Sequence, residues 1–63
     1  MNDAYLRLKT VVAMTGVPRS SLYRMISEGR FPRQVALSHR SVGWRESAVQ
    51  RWIDNPTGFR EED

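Results

Sequence analysis

Two segments with helical periodicity are separated by only three residues, and this short separation limits the folds open to the chain. The apolar positions of the first segment follow the i, i+3, i+4, i+7 spacing of one helix face: Leu8, Val11, Val12 and Thr15. That spacing predicts a helix over about residues 9–15, with Thr10 as its N-cap and Gly16 at its end. Pro18 suits a first helical turn, and a second helix is predicted over residues 19–28, ended by Gly29. Two helices joined so closely predict a helix-turn-helix.

After residue 32 the apolar period changes from about 3.6 to 2, which predicts a β-hairpin. Four side chains are expected to share one apolar face of this hairpin: Val35, Leu37, Val42 and Trp44. The turn between the strands, residues 38–41, is polar. A hairpin directly after a helix-turn-helix is typical of a DNA-touching wing, so residues 33–45 are predicted to form one.

A third helix is predicted over residues 46–54, ended by Asn55-Pro56 because a residue before proline disfavours the helical region. Its inner face is expected to contain Ala48, Val49, Trp52 and Ile53. Before the first helix, residues 1–4 are predicted to be a loose lead-in and residues 5–8 a short strand or extended arm. The expected fold class is therefore mainly α with a small β-hairpin: a winged helix-turn-helix of three helices.

The size of the chain sets the domain organisation. Sixty-three residues form one domain at most, and a chain this short buries roughly 60% of its unfolded surface. Residues 1–56 are assigned to that domain, and four large apolar side chains are assigned to its core: Leu22, Phe31, Trp44 and Trp52. Residues 57–63 have no periodicity and end in three acids, so they are predicted to be a disordered acidic tail.

Positive charge is concentrated in the middle of the chain. Between residues 7 and 45 there are eight Arg or Lys side chains and one acid, Glu28, although the whole chain has a net charge of +3. Seven of those eight cations are Arg, whose planar fork suits phosphate oxygens and guanine edges. This charge on a helix-turn-helix predicts a partner that is double-stranded DNA.

The outward face of the second helix is the main candidate for DNA contact. An α-helix fits the major groove, and the N-terminal residues of such a helix reach base edges. The candidates here are Arg19, Ser20, Ser21, Tyr23 and Arg24. Arg24 lies at the centre of the face and is the best base-reading candidate, whereas Arg19 at the helix edge suits a phosphate. A solvated helix face of ordinary composition is the alternative interpretation of the same residues.

Further candidates extend this basic surface. His39 and Arg40 lie at the tip of the predicted wing, where the competing interpretation is an ordinary polar turn. Arg33 and Arg45 flank the wing strands, and Arg45 has a competing role as the partner of a nearby acid. Arg30 follows Gly29 and is a candidate for the DNA backbone. Lys9 and Thr10 are expected at a helix N-terminus, where free N–H groups bind phosphate.

The residue inventory argues against catalysis and cofactor binding. There is no cysteine and a single histidine, so neither a thiol nucleophile nor a metal site is expected. The carboxylates are scattered, and the glycines do not form a phosphate loop. No apolar run approaches the roughly 18 residues that a membrane span requires. We therefore expect a non-enzymatic cytoplasmic protein without cofactor, associated with the nucleoid when bound to DNA.

Several short motifs occur in an order that resembles the AlpA family of small prophage and phage regulators. They are Leu6-Arg7-Leu8-Lys9, Thr15-Gly16-Val17, Ser20-Ser21-Leu22-Tyr23-Arg24, Glu28-Gly29-Arg30-Phe31-Pro32, Val42-Gly43-Trp44-Arg45-Glu46-Ser47 and the Val49…Trp52 pair. The resemblance covers about residues 5–54. It implies a winged helix-turn-helix related to MerR and to excisionases, a recognition helix at residues 20–24, a wing around residues 38–41, and transcriptional regulation. Where Pro18 stands the family commonly has a Ser that caps the second helix, and Pro18 cannot supply that cap.

Three functions remain open at the level of sequence. The first is a transcription regulator of phage or prophage type, with residues 19–28 in the major groove and the wing on the flank. The second is an excisionase that bends DNA and recruits an integrase. The third is a protein-interaction module whose basic face meets an acidic partner. One helix of about ten residues spans only about 15 Å, so self-association on repeated sites is expected for the DNA-binding functions.

Overall fold

The computed structural model describes residues 3–61, which contain three helices and three short strands. The order is β1 (Tyr5–Leu6), α1 (Leu8–Thr15), α2 (Arg19–Ser27), β2 (Val35–Ala36), β3 (Val42–Arg45) and α3 (Glu46–Asp54). The predicted winged helix-turn-helix is confirmed, with the predicted arm forming β1 and the first helix beginning one residue early. No helix of the described residues is long and apolar enough to cross a membrane.

The turn between α1 and α2 is held by backbone and side-chain hydrogen bonds. Gly16 ends α1 with a φ of 73°, a left-handed conformation that residues with a Cβ avoid, and its N–H donates to the Val12 carbonyl. The Thr15 hydroxyl donates to the Val11 carbonyl and accepts the Val17 N–H at 3.2 Å. The predicted cap by Thr10 is wrong, because Arg7 is the N-cap residue and Thr10 lies inside the first helical turn.

The three strands form one small antiparallel sheet in the order β1-β3-β2. Leu6 pairs with Trp44 on the inner side of the sheet, and Ala36 pairs with Val42 on that same side. Val35, however, pairs with Gly43, so it shares the outer side with Tyr5 and Arg45 because directly opposed residues point the same way. The prediction of a single apolar hairpin face is therefore wrong: the register puts apolar side chains on both sides.

Residues 3 and 4 belong to the fold, contrary to the predicted loose lead-in; residues 1 and 2 lie outside the described part of the chain. The Ala4 carbonyl accepts the Glu46 N–H at 2.8 Å, which continues the β1–β3 pairing. The Asp3 carboxylate accepts the Ser47 N–H at 3.0 Å and the Ser47 hydroxyl at 2.7 Å. Residues 3 and 4 thus close onto the first turn of α3.

The core lies between the helices and the inner side of the sheet. Its buried apolar residues are Val11, Leu22, Phe31, Trp44, Val49, Trp52 and Phe59. Phe31 and Trp52 meet edge to face at 5.2 Å between ring centroids, which is a favourable aromatic geometry. The assignment of both tryptophans to the core is confirmed.

Phe59 lies in the segment that was expected to be a disordered tail. Its side chain is only 6% exposed and packs within the core, and the Glu61 N–H donates to the Gly29 carbonyl at 2.9 Å. The packed domain therefore extends at least to residue 61, beyond the predicted boundary at residue 56. Glu62 and Asp63, the rest of the predicted tail, lie outside the described residues.

Candidate nucleic-acid interface

Helix α2 has one buried side and one exposed side, as its periodicity predicts. Leu22 is fully buried, with Met25 and Ile26 packed beside it against the core. The side chains exposed on the opposite side include Arg19, Ser20, Arg24 and Ser27, and Ser21 is half-buried at the edge. No core contact explains two arginines on this face. The outward face of α2 thus combines short hydroxyl side chains with Arg, which permits a close approach to a polyanion.

Tyr23 connects α2 to the wing. Its ring centroid lies 6.3 Å from that of Trp44 on β3, with the ring planes tilted by 60°. The Tyr23 ring therefore packs on the hairpin. Since Trp44 is fully buried, this contact packs one side chain of α2 against the core side of the wing.

Both ends of α2 are determined by local sequence. Pro18 is its N-cap residue, with a φ of −62°, and its carbonyl accepts the Leu22 N–H. Proline has no side-chain acceptor, so Pro18 does not cap the N–H groups of the first turn. At the other end Gly29 has a φ of 75°. The Arg30 N–H donates to the Met25 carbonyl and the Gly29 N–H to the Ile26 carbonyl, the two bonds of a Schellman motif.

Arg30 is held by an acid on its own loop. Its Nε donates to Glu28 Oε1 at 2.9 Å, and its Nη2 forms an ion pair with that same oxygen. The hydrogen bond from Arg30 lowers the pKa of the Glu28 carboxyl below its usual value, with a smaller contribution from the charge of Arg24. Glu28, the one acid between residues 7 and 45, therefore orients the Arg30 side chain.

The tip of the wing is closed by the two serines of its turn. The hydroxyls of Ser38 and Ser41 lie 2.8 Å apart, and the Ser41 carbonyl accepts the N–H groups of Leu37 and Ser38. Within this turn His39 and Arg40 are exposed, as predicted. The tip thus presents an imidazole and a guanidinium from a hydrogen-bonded turn.

The remaining candidates are spread along the edges of the surface. Arg33 and Arg45 are exposed beside the strands of the wing, and Lys9 and Thr10 are exposed on the first turn of α1. Arg45 lies on the outer side of β3. The pKa of the Asp3 carboxyl is lowered mainly by hydrogen bonds from Ser47, and the charge of Arg45 adds a smaller contribution. The pairing of Arg45 with an acid stays a prediction.

Sequence reasoning missed three residues that support this surface: Asp3, Phe59 and Glu61. Asp3 takes the place of the side-chain cap that Arg45, the N-cap residue of α3, does not supply. Phe59 packs in the core, and the Glu61 N–H bonds to the Gly29 carbonyl in the loop after α2. These contacts join residues far apart in the chain, and no periodic pattern signals them; an unexplained aromatic at position 59 was the one available hint.

Comparison with known proteins gives a consistent result. Residues 4–57 match the family described as prophage CP4-57 regulatory protein (AlpA). The chain is 37% identical over 51 residues to the protein ORF88 of Enterobacteria phage P4, covering 81% of this chain and 58% of that protein. It is 32% identical over 54 residues to the DNA-binding transcriptional activator AlpA of Escherichia coli (strain K12), covering 76% of this chain and 77% of that protein. With nearly its whole length matched, this chain belongs to the AlpA family of prophage regulatory proteins.

Proposed function

We propose that this protein is a phage-type transcription regulator that binds double-stranded DNA, with α2 in the major groove and the wing on the flank. The observation that carries the proposal is the two-sided character of α2. Leu22 is fully buried, while Arg19, Ser20 and Arg24 are exposed on a helix held by a three-residue turn. The relative from Escherichia coli that is named a DNA-binding transcriptional activator supports it.

The roles within the site follow from position. Arg24, at the centre of the outward face, reads a base edge, and Ser20 and Ser21 let the helix approach closely. Arg19 at the uncapped helix start holds a phosphate, together with the first-turn N–H groups. Tyr23 packs its ring on Trp44 and offers its hydroxyl to the backbone. The wing supplies Arg40 and His39 to the flanking backbone or minor groove, and Arg33 and Arg45 extend the basic track.

The decisive experiment is a binding titration with purified protein and duplex fragments from its own genomic neighbourhood. Fluorescence anisotropy at several salt concentrations measures both sequence preference and phosphate contact. Binding through about six phosphates gives a log–log slope near −5. If the protein forms no complex with any of the duplexes at low ionic strength, the proposal fails. If the protein binds acidic proteins as well as DNA, and prefers no DNA sequence, the result favours a protein-interaction module instead.

A DNA-bending assay separates the regulator from an excisionase. The same fragments, with the bound site placed at different positions, migrate differently when the protein bends them. An excisionase bends its site and binds an integrase there; a regulator without that role alters transcription from a nearby promoter and needs no integrase. Footprinting of the same fragments measures the number and spacing of bound copies.

A further inference from the structure

Three backbone carbonyls in the loop between α2 and the wing, residues 28–32, are each held by a donor from elsewhere in the fold. The Glu61 N–H donates to the Gly29 carbonyl at 2.9 Å. The indole of Trp52 on α3 donates to the Arg30 carbonyl at 3.1 Å, and the indole of Trp44 on β3 donates to the Pro32 carbonyl at 2.9 Å. The path of this loop is therefore set by tertiary contacts as well as by its own sequence.

The most distant of these donors belongs to residues 55–61, which we call the C-terminal strap. The strap turns back after α3, with the Phe59 N–H donating to the Asn55 carbonyl at 3.0 Å. Phe59 is buried among the core residues, and the Arg51 guanidinium lies 5.4 Å from the centroid of its ring. Residues 58–61 lie beyond the region matched by the family, residues 4–57.

We propose that the C-terminal strap is a positioning element of the DNA-binding surface. By holding the Gly29 carbonyl while Trp52 holds the Arg30 carbonyl, the strap fixes the backbone from which the Arg30 guanidinium projects. Glu28 fixes the other end of the same side chain. A guanidinium ordered before binding loses less conformational entropy when it meets a phosphate. This inference rests on the proposed function, because it concerns how that surface binds DNA.

The mechanical part of the proposal has a test that does not involve DNA. Glu61→Pro removes the N–H donor, and the matched control Glu61→Gln removes the charge but keeps the donor. The chain has two tryptophans, so its amide spectrum contains two indole signals. We expect Glu61→Pro to move the Trp52 indole and Arg30 amide signals, while Glu61→Gln leaves them in place. Unmoved signals in Glu61→Pro would overturn the link between strap and loop.

The functional part is tested by a double-mutant cycle on duplex DNA. We expect Glu61→Pro to weaken binding about three- to tenfold, the cost of ordering one more flexible side chain when the complex forms. Combined with Arg30→Ala, it should weaken binding no further than Arg30→Ala does alone. If Glu61→Pro weakens binding by the same factor in the Arg30→Ala variant as in the wild type, the strap does not act through Arg30 and the proposal fails.

Two controls keep the outcomes distinct. Binding is measured where circular dichroism shows each variant folded, and Phe59→Leu, which keeps an apolar side chain but loosens the strap, should weaken binding in the same direction. If the wild-type protein binds no duplex, the proposed function fails together with the strap's role in binding. The indole signals then still decide whether the strap holds the loop.

Discussion

At the scale of single residues, the helix starts show how much of this fold depends on distant partners. Arg7, Pro18 and Arg45 are the N-cap residues of α1, α2 and α3, and none of them supplies a side-chain cap. Only α3, among the helices of residues 3–61, receives a cap from elsewhere, through Asp3. The two uncapped helices are the ones that form the helix-turn-helix, where a phosphate can satisfy the free N–H groups instead.

Asp3 should make the stability of the protein depend on pH. Hydrogen bonds from the Ser47 side chain and backbone lower the pKa of its carboxyl below the usual 3.8. Because the folded state lowers this pKa, the stabilisation is fully present above about pH 4 and is lost as the pH falls through the folded value. We expect Asp3→Ala to have a lower melting temperature than the wild type at pH 7. The difference between the two melting temperatures should shrink as the pH falls towards 2.

The measurement is thermal unfolding followed by circular dichroism between pH 7 and pH 2. Asp3→Asn serves as the matched control, since it keeps an oxygen that can accept the Ser47 N–H but has no charge to lose at low pH. Melting curves of Asp3→Ala and the wild type that stay the same distance apart at every pH would contradict a role for the Asp3 charge.

Arg24 should determine base preference, whereas Arg19 should not. If Arg24 reads a guanine, Arg24→Ala costs about 1–3 kcal/mol on the preferred site and relaxes the preference at one base pair. Arg19→Ala, the matched control on the same helix, should weaken preferred and random duplexes to the same degree. Competition binding with single-base variants of the site measures both. Equal losses on all duplexes for Arg24→Ala would reassign Arg24 to a phosphate.

At the scale of elements, the three helices were predicted within about one residue because their causes are local. Apolar spacing, Gly16 and Gly29 are all read along the chain without knowledge of the fold. The hairpin was predicted too, but the face of Val35 was not, since register depends on which residue lies opposite. The pairing of Val35 with Gly43 and of Tyr5 with Arg45 is information that alternation alone does not contain.

The wing should contribute affinity without sequence preference. Arg40 is exposed at a tip closed by the Ser38 and Ser41 hydroxyls, so its charge is available to the DNA backbone. Arg40→Ala should weaken binding to all duplexes alike and reduce the slope of log affinity against log salt by about one. Anisotropy titrations at three salt concentrations measure both quantities. Unchanged affinity would remove the wing from the binding surface.

Gly43 lies where the three strands meet, and a side chain there would be crowded. A Cβ at this position would lie 2.8 Å from Leu37 Cδ1 and 3.1 Å from the Leu6 carbonyl oxygen. The Leu37 side chain can rotate away, but the Leu6 oxygen belongs to the paired strand β1. We expect Gly43→Ala to destabilise the fold by about 1–3 kcal/mol, measured by urea unfolding. Adding Leu37→Ala should recover only part of this loss, because the contact with the Leu6 oxygen remains. Full recovery would mean that β1 shifts enough to relieve that contact.

At the scale of the whole molecule, α3 links the core to the loop after α2. Trp52 packs against Phe31 and also donates to the Arg30 carbonyl, so it joins α3 to the loop after α2. Trp52→Ala should cost about 3–5 kcal/mol, which is comparable to the total stability of so small a domain. Urea unfolding, or circular dichroism if the variant is already unfolded, measures the loss.

Trp52→Phe is the informative companion, because it keeps an aromatic ring and removes the indole donor. It should be folded and intermediate in stability. A Trp52→Ala variant of nearly wild-type stability would show that the inner face of α3 is assigned incorrectly.

The limits of sequence reasoning are physical. Periodicity identified Val49 and Trp52 as core because each helix face repeats regularly. It placed Phe59 in a tail because one aromatic without neighbours of the same period gives no signal, and it gave no role to Asp3 because that contact spans 44 positions. The basic candidates were found by charge and exposure, and their contacts with DNA remain predictions.

The division of α2 into a buried and an exposed side has an evolutionary consequence. Leu22 is held by the core, whereas Ser20 and Arg24 are exposed and their side chains have no part in the core cluster. Substitutions at the latter positions should therefore be tolerated with little loss of folding. If α2 binds DNA as proposed, a change of binding site needs only a few outward substitutions, and the core that holds the helix can stay as it is.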